Sequence, residues 1–323
     1  MTDAPDRHCE SPRVSVIVPN WNGSAIIGDC LESIRAQTYG NVDRIVVDDG
    51  STDDSVDLIA RGFPDFRLIA LGENRGFAHA VNVGMRAALG DIFALLNSDA
   101  RADPRWVEEL VAALSRHPDA GSAASKILLD GPDCRIHSAG DVFLRAGVPD
   151  SRGVWEVDRG QYDDEQFVFG ACGGAAGYRR TMIEEIGPFD EQFGMYCEDV
   201  DLAFRAQLRG YRCVYAPRAL VRHRLGASTP SDVASYLCGR NFVWLLARDA
   251  PEEWWRRHWA KFLRTQLALA IRALRHAREP AARARLRGQL HGLATVPRLV
   301  GQRGSVQRPR RVTSEQLSGL LTQ

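Results

Sequence analysis

The chain has 323 residues, 45% of them hydrophobic and 25% charged, ordinary values for a soluble globular protein and room enough for one large domain with an appendage. Its 41 Lys and Arg balance 41 Asp and Glu, but unevenly: residues 224–323 hold 18 basic and 6 acidic residues, and residues 1–223 hold 23 and 35, which points to two parts with different surroundings. Seven scattered cysteines without a C-x-x-C argue against a disulfide framework and a Cys-type zinc site.

Strand and helix signals alternate at first. VSVIVP (14–19) reads as a strand buried on both faces, and SAIIGDCLESIRAQ (24–37) as a helix with Ile27, Cys30, Leu31 and Ile34 inward. RIVVDD (44–49) is a second strand, and STDDSVDLIAR (51–61) opens a helix that Ser51 or Thr52 would cap. FRLIAL (66–71) is a third strand, GFAHAVNVGMRAALG (76–90) a helix, DIFALLNSD a fourth strand, and residues 105–116 a helix. This order predicts a mostly parallel, doubly wound α/β sheet. Shorter apolar runs follow, SAASKILL, DVFL, QFVFGACGGAAGYRR and CVYAPRALVRH, and predict a small mixed part. Residues 145–165 read as a mobile loop, and everything from Ser231 onward as helix.

Ligands of open α/β sheets bind at the carboxyl edge, and polar residues gather there. Pro19, Asn20 and Asn22 follow the first strand, Asp48 and Asp49 the second, and Asn97, Ser98 and Asp99 the fourth. A carboxylate beside an amide oxygen suits a hard divalent cation shared with phosphates. The plainer roles are turn-making for Asn20, Asn22, Asp48 and Asp49, and helix capping for Asp99, although Asp103 already stands beside Pro104 for that. Arg75 precedes a helix N-terminus, a setting for an anion or for an ordinary surface arginine. Glu198, Asp199 and Asp201 crowd the first turn of a helix; capping accounts for some of them, and one pointing into a cleft can act as a general base. His223 ends a strand and is a structural residue unless a metal lies beside it. There is no G-x-G-x-x-G, so a nicotinamide site loses its main support.

In order, VSVIVPNWNG, VVDDGSTDDS, NRGFAHAVNVGMRAALGD, LLNSD, GGAAGYRR and YCEDVDLAFR resemble family 2 inverting glycosyltransferases of GT-A fold, in the rhamnosyltransferase-like branch, over residues 13–228. The resemblance implies a nucleotide-binding part at 13–120 and an acceptor part at 121–228; outside it, a disordered N-terminus is expected at 1–12 and a basic helical region at 229–323. It implies that Pro19, Asn20, Asn22, Asp48, Asp49, Arg75, Asn97, Ser98, Asp99 and Gly174 hold the nucleotide-sugar, a dTDP- or UDP-sugar such as dTDP-rhamnose. Asp99 and His223 would bind Mg²⁺ or Mn²⁺, Asp199 would be the general base, and Glu198 would support it or touch a glycan or lipid-linked acceptor. The family's D-x-D has Asn97 at its first position here, so the metal geometry departs from that pattern. The competing functions are a non-catalytic nucleotide-sugar-binding protein and a sugar nucleotidyltransferase; PNWNGSAIIGD lacks the Gly-rich basic loop the latter needs.

Residues 252–278 read as an amphipathic helix with Trp255, Trp259, Phe262, Leu267, Ala270, Ile271 and Leu274 in one stripe and Arg256, Arg257, Lys261, Arg264, Arg272 and Arg275 supplying charge around it. The stripe suits an anionic membrane surface, the catalytic domain or a second subunit in a homodimer. No nucleic-acid motif accompanies the arginines. With no signal peptide and no spanning helix in the sequence, the expected location is the cytoplasm, with peripheral attachment to the inner membrane face.

Overall fold

The computed structural model describes residues 11–224 and 231–322. The expected disordered N-terminus lies outside the described residues up to residue 10, as does the expected boundary at 228. The opening alternation is β1 (Val14–Asn20), α1 (Ile27–Arg35), β2 (Val42–Asp48), α2 (Ser55–Gly62), β3 (Arg67–Ala70), α3 (Phe77–Ala87), β4 (Ile92–Leu96), β5 (Ala100–Ala102) and α4 (Trp106–Arg116). All seven residues of β1 are buried, because parallel neighbours β2 and β4 flank it and helices cover its faces. Ile27, Cys30, Leu31 and Ile34 form the buried stripe of α1, as their spacing predicts.

The start of α2 corrects the expected cap. Helix begins at Ser55, and Ser51 instead donates its hydroxyl to Asp48 Oδ2 at 2.6 Å and its N–H to Asp48 Oδ1 at 2.9 Å. That closes the turn after β2. Gly50 adopts φ +72° there, and a Cβ on it would lie 2.6 Å from the Glu73 carbonyl carbon, so only glycine fits.

The mixed part comprises β6 (Ala120–Leu129), β7 (Ile136–Ser138), β8 (Asp141–Leu144), β9 (Pro149–Ser151), β10 (Gln166–Val168), β11 (Ala175–Arg179), α5 (Arg180–Ile186), α6 (Glu198–Arg209) and β12 (Arg212–His223). The main sheet runs β10-β12-β6-β11-β4-β1-β2-β3. Strand β11 sits antiparallel between β4 and β6, which brings the glycine loop before it to the end of β4. Residues 145–165 are more built than a bare loop: β9 pairs with β8, and buried Lys126 holds Asp158 at 2.8 Å and Asp163 at 2.6 Å. These partners lie more than thirty residues from Lys126, so local composition cannot show them.

The C-terminal part has α7 (Ser231–Trp244), a π-turn at Leu245–Asp249, α8 (Glu252–Arg275), α9 (Pro280–Gln307), α10 (Ser314–Gly319) and a last strand, β13 (Leu321–Thr322). That strand corrects the all-helical expectation: it pairs in parallel with β8. Helices α7 and α9 approach closely enough that a Cβ on Gly288 would lie 2.0 Å from the Tyr236 carbonyl oxygen. The single apolar stripe expected on α8 divides in two. Trp254 and Phe262 are buried in a cluster with Phe143, Phe193 and Phe204, and Trp255 packs beside it. Trp259, Leu267, Ile271 and Leu274 face outward.

An ion cluster fastens this part to α6. Arg248 of the π-turn is buried, donates Nε–H to Asp249 at 2.7 Å, and bonds Asp190 and Asp201. Arg205 Nε also donates to Asp201 at 2.9 Å. Asp201 therefore serves the helix junction, not a cleft. Arg248→Met, which leaves buried Asp249 without its cation and Asp201 with Arg205 alone, is expected to cost about 3–5 kcal/mol of stability by urea unfolding; a loss below about 1 kcal/mol would show the cluster to be solvated.

Candidate active site

The carboxyl ends of β1, β2 and β4 open into a cavity of about 870 Å³. Of the residues named from sequence, Pro19, Asn20, Asp49, Asn97, Ser98, Asp99, Gly174, Glu198, Asp199 and His223 line it. Asn22, Asp48 and Arg75 do not. Asn22 Oδ1 accepts the Thr52 N–H at 2.8 Å, and Asp48 is filled by Ser51 and by Asn20 Nδ2 at 2.8 Å. Those two hold the floor of the cavity together. The Arg75 side chain is exposed, and its backbone N–H donates to Asp49 Oδ1 at 3.1 Å. Gly76 N–H donates to Asp49 Oδ2 at 2.8 Å. Burial raises the Asp49 pKa, and these two N–H groups oppose the rise.

At the end of β4, Asp99 is buried and its Oδ1 lies 2.8 Å from His223 Nε2. His223 Nδ1 lies 3.0 Å from His137 Nδ1, and the two rings stack with centroids 4.9 Å apart. Burial, followed by the His223 charge, lowers the His137 pKa to about 4, so this ring is neutral near pH 7. Of the two Nδ1 atoms in this contact, one donates and the other accepts. Beside them Asn97 Oδ1 is buried with no hydrogen-bond partner among the described residues. Gly174 makes room for this amide: a Cβ there would stand 3.3 Å from Asn97 Nδ2. Carboxylate oxygen, imidazole nitrogen and an unsatisfied amide oxygen together fit a divalent cation.

Acids gather in another part of the lining, beyond the Gly173–Gly174 loop. Asp199 accepts the Gly173 N–H on Oδ2 and the Val200 N–H on Oδ1, both at 2.8 Å. Asp141, Cys172 and Asp199 place their ligand atoms within 4.8 Å of one another. Asp141 is pushed well above the usual carboxylate range by burial and then by the Asp199 charge. Glu198 is pushed well above it for the same two reasons, and its Oε2 has no partner among the described residues. Burial raises Asp199 too, but its two backbone donors pull back. Of these three acids, Asp199 is the one that accepts the backbone N–H groups of two other residues, which favour its ionised form.

The loop before α6 holds this wall under backbone strain. Tyr196 and Cys197 both adopt positive φ, 65° and 69°, costly for residues with a Cβ. Buried Asn241 of α7 compensates by donating to the Met195 carbonyl at 3.1 Å and the Tyr196 carbonyl at 2.6 Å. Sequence reasoning missed His137, Asp141 and Asn241, and also Trp21, which lines the cavity beside Asn20. The first two lie in short strands of the mixed part, and only the trans-sheet pairing brings them to Asp99 and Asp199.

Because the folded-state pKa of Glu198 is raised above its unfolded value, its contribution to stability is full below the ordinary carboxylate range and lost as pH rises toward the raised value. Glu198→Gln is expected to be more stable than the parent by about 1–3 kcal/mol at neutral pH, with the gap closing by about pH 4. Thermal unfolding across pH reads this out, and a variant no more stable at neutral pH would mean that Glu198 is compensated.

The sequence profile described as "Glycosyl transferase family 2" matches residues 15–187. The chain is 30% identical over 263 residues to the N-acetylglucosaminyl-diphospho-decaprenol L-rhamnosyltransferase of Mycobacterium tuberculosis (strain ATCC 25618 / H37Rv), covering 74% of this chain and 85% of that protein. Two solved structures share the fold. One is the mannosyltransferase PcManGT from Pyrobaculum calidifontis in complex with GDP-Man and Mn²⁺, at TM-score 0.58 and 21% identity, covering 93% of this chain and 86% of that one. The other is S. aureus TarS 1–349 in complex with UDP-GlcNAc, at TM-score 0.58 and 18% identity, covering 96% and 92%. A profile match over more than half the chain, together with the sheet and cavity described above, makes this protein a member of glycosyl transferase family 2, in its rhamnosyltransferase-like branch, built on the GT-A fold.

Proposed function

We propose that this glycosyltransferase moves a sugar, with inversion, from a dTDP- or UDP-sugar to a hydroxyl of a lipid-linked glycan acceptor. The similarity to a decaprenyl-linked rhamnosyltransferase favours dTDP-rhamnose as donor and a diphospholipid-linked N-acetylglucosamine as acceptor, in cell-wall glycan synthesis. One observation carries the reading: a single cavity sets Asp99 and His223 on one wall and the backbone-supported carboxylate of Asp199 on another.

Asn20 and Asp49, with Pro19, take the base and ribose. Asn22 and Asp48 shape the loops beneath them, and Arg75 lends its backbone to the same corner. Asn97, Ser98 and Gly174 border the diphosphate. Asp99 and His223 would hold Mg²⁺ or Mn²⁺, with Asn97 Oδ1 at hand as a further oxygen; the Mn²⁺ in the PcManGT complex supports a divalent ion in this fold. What the ion supplies when bound is neutralisation of charge on the leaving diphosphate.

Asp199 takes the proton of the acceptor hydroxyl as its oxygen attacks the anomeric carbon. The bond from that carbon to the diphosphate oxygen breaks, and its electron pair leaves with the nucleoside diphosphate. A single displacement from the face opposite the leaving group inverts the anomeric centre. Glu198 and Asp141, whose pKa values are raised by burial and then by the Asp199 charge, can in their protonated form donate hydrogen bonds to acceptor hydroxyls in the same wall. A non-catalytic nucleotide-sugar-binding protein would have no use for Asp199's arrangement, and a nucleotidyltransferase would need the basic glycine loop that is absent after β1.

Asp199→Asn is expected to reduce kcat by about 10²–10⁴-fold while leaving nucleotide-sugar affinity within about threefold. The assay is release of nucleoside diphosphate from dTDP-rhamnose in the presence of a diphospholipid-linked N-acetylglucosamine, with product anomeric configuration read by NMR. Parent-level turnover in the variant, or a retained configuration, would overturn the assignment of Asp199 and of inversion.

A further inference from the structure

The outward face of α8 is built from Trp259, Leu263, Leu267, Ile271 and Leu274, each 39–61% exposed. At about 100° per residue these five fall within about 120° of arc. This row is separate from Trp254 and Phe262, which are buried against the rest of the protein. An unbroken exposed row of this kind marks an interaction surface.

Charge says what covers it. Residues 254–278 contain seven Lys and Arg and no Asp or Glu. Arg257, Arg264 and Arg275 stand about 80–100° round the helix from the centre of the apolar row, where long side chains reach a headgroup layer while the row lies in the acyl boundary. Arg256 pairs with Glu252 at 3.3 Å, and the other six form no ion pair among the described residues. No described helix is long and apolar enough to cross a membrane, so contact along the surface is the geometry this helix can offer.

We infer that the Trp259–Leu274 face of α8, with its basic border, docks the protein on an anionic lipid surface. A second copy of the chain fits less well. A two-fold pairing through this row would set the basic border against itself, with no acidic row on α8 to answer it. Docking of this kind is independent of which sugar is moved, and it would bring the cavity to acceptors carried by lipids.

Sedimentation of the full chain with vesicles tests this. Vesicles of equal parts phosphatidylcholine and phosphatidylglycerol are expected to bind the parent at least about tenfold more tightly than pure phosphatidylcholine vesicles. The triple variant Leu263→Ser, Leu267→Ser, Ile271→Ser is expected to lose about tenfold or more of that binding, while keeping its thermal unfolding transition and its turnover of a short soluble acceptor. Failure of the folded parent to bind the anionic vesicles would overturn the inference. So would a parent dimer, by light scattering after size exclusion, that the triple variant converts to a monomer. Vesicle binding without any turnover would count against the transferase reaction and leave the docking intact.

Discussion

Asp199 accepts two backbone N–H groups, from Gly173 and Val200, inside a wall where Asp141 and Glu198 accept none from the backbone of neighbouring residues. That difference divides labour among three acids sharing one low-dielectric pocket. Burial and the neighbouring charge raise Asp141 and Glu198, while the fixed donors favour the ionised form of Asp199. The donors exist because β11 enters the sheet antiparallel beside β4 and brings the Cys172–Gly174 loop against the head of α6. Sheet topology thus sets which of the three carboxylates the backbone donors favour in its ionised form.

The C-terminal helices are part of that arrangement. Asn241 of α7 holds the carbonyls of the strained turn that launches α6, and Arg248 of the π-turn holds Asp201 one turn further on. β13 adds an edge to the β8–β9 hairpin, whose residues Asp141 and Asp150 reach the cavity. The basic region is therefore a support for the acid wall on one side and an exposed surface on the other. The uneven charge along the sequence corresponds to these two sides, since Arg257, Arg264 and Arg275 of α8 border its outward row and form no ion pair among the described residues.

The parallel half of the fold was legible because buried strands must be continuously apolar and must end where they meet ligand. VSVIVP, RIVVDD and FALL therefore located both the strands and the edge. Asp99, Asp49, Asn20 and Asn97 were found that way. What failed was whatever depends on partners distant in sequence. Ser51 looks like a helix cap until Asp48 is seen to use its hydroxyl. His137 sits in a three-residue strand with no period, and its partner His223 is 86 residues away. Asp201 stands two residues from Asp199 in the same acidic run, yet it turns to Arg205 and Arg248 because helical rotation separates the two side chains by about 200°. The α8 stripe read as one surface because spacing alone cannot say which side a neighbouring domain will cover.

The proposed transfer requires the Asp99 edge and the Asp199 wall to serve one bound nucleotide-sugar. The most direct measurement is the thermal stability of the purified full chain against dTDP and UDP, each with and without Mn²⁺, in the parent and in Asp99→Asn. A ligand that binds only the folded state raises its apparent stability. The account predicts a rise with one nucleotide that requires Mn²⁺ and is lost in Asp99→Asn. A folded parent whose transition moves with neither nucleotide, or moves equally without Mn²⁺ and in Asp99→Asn, would contradict it and leave Asp99 as a structural partner of His223.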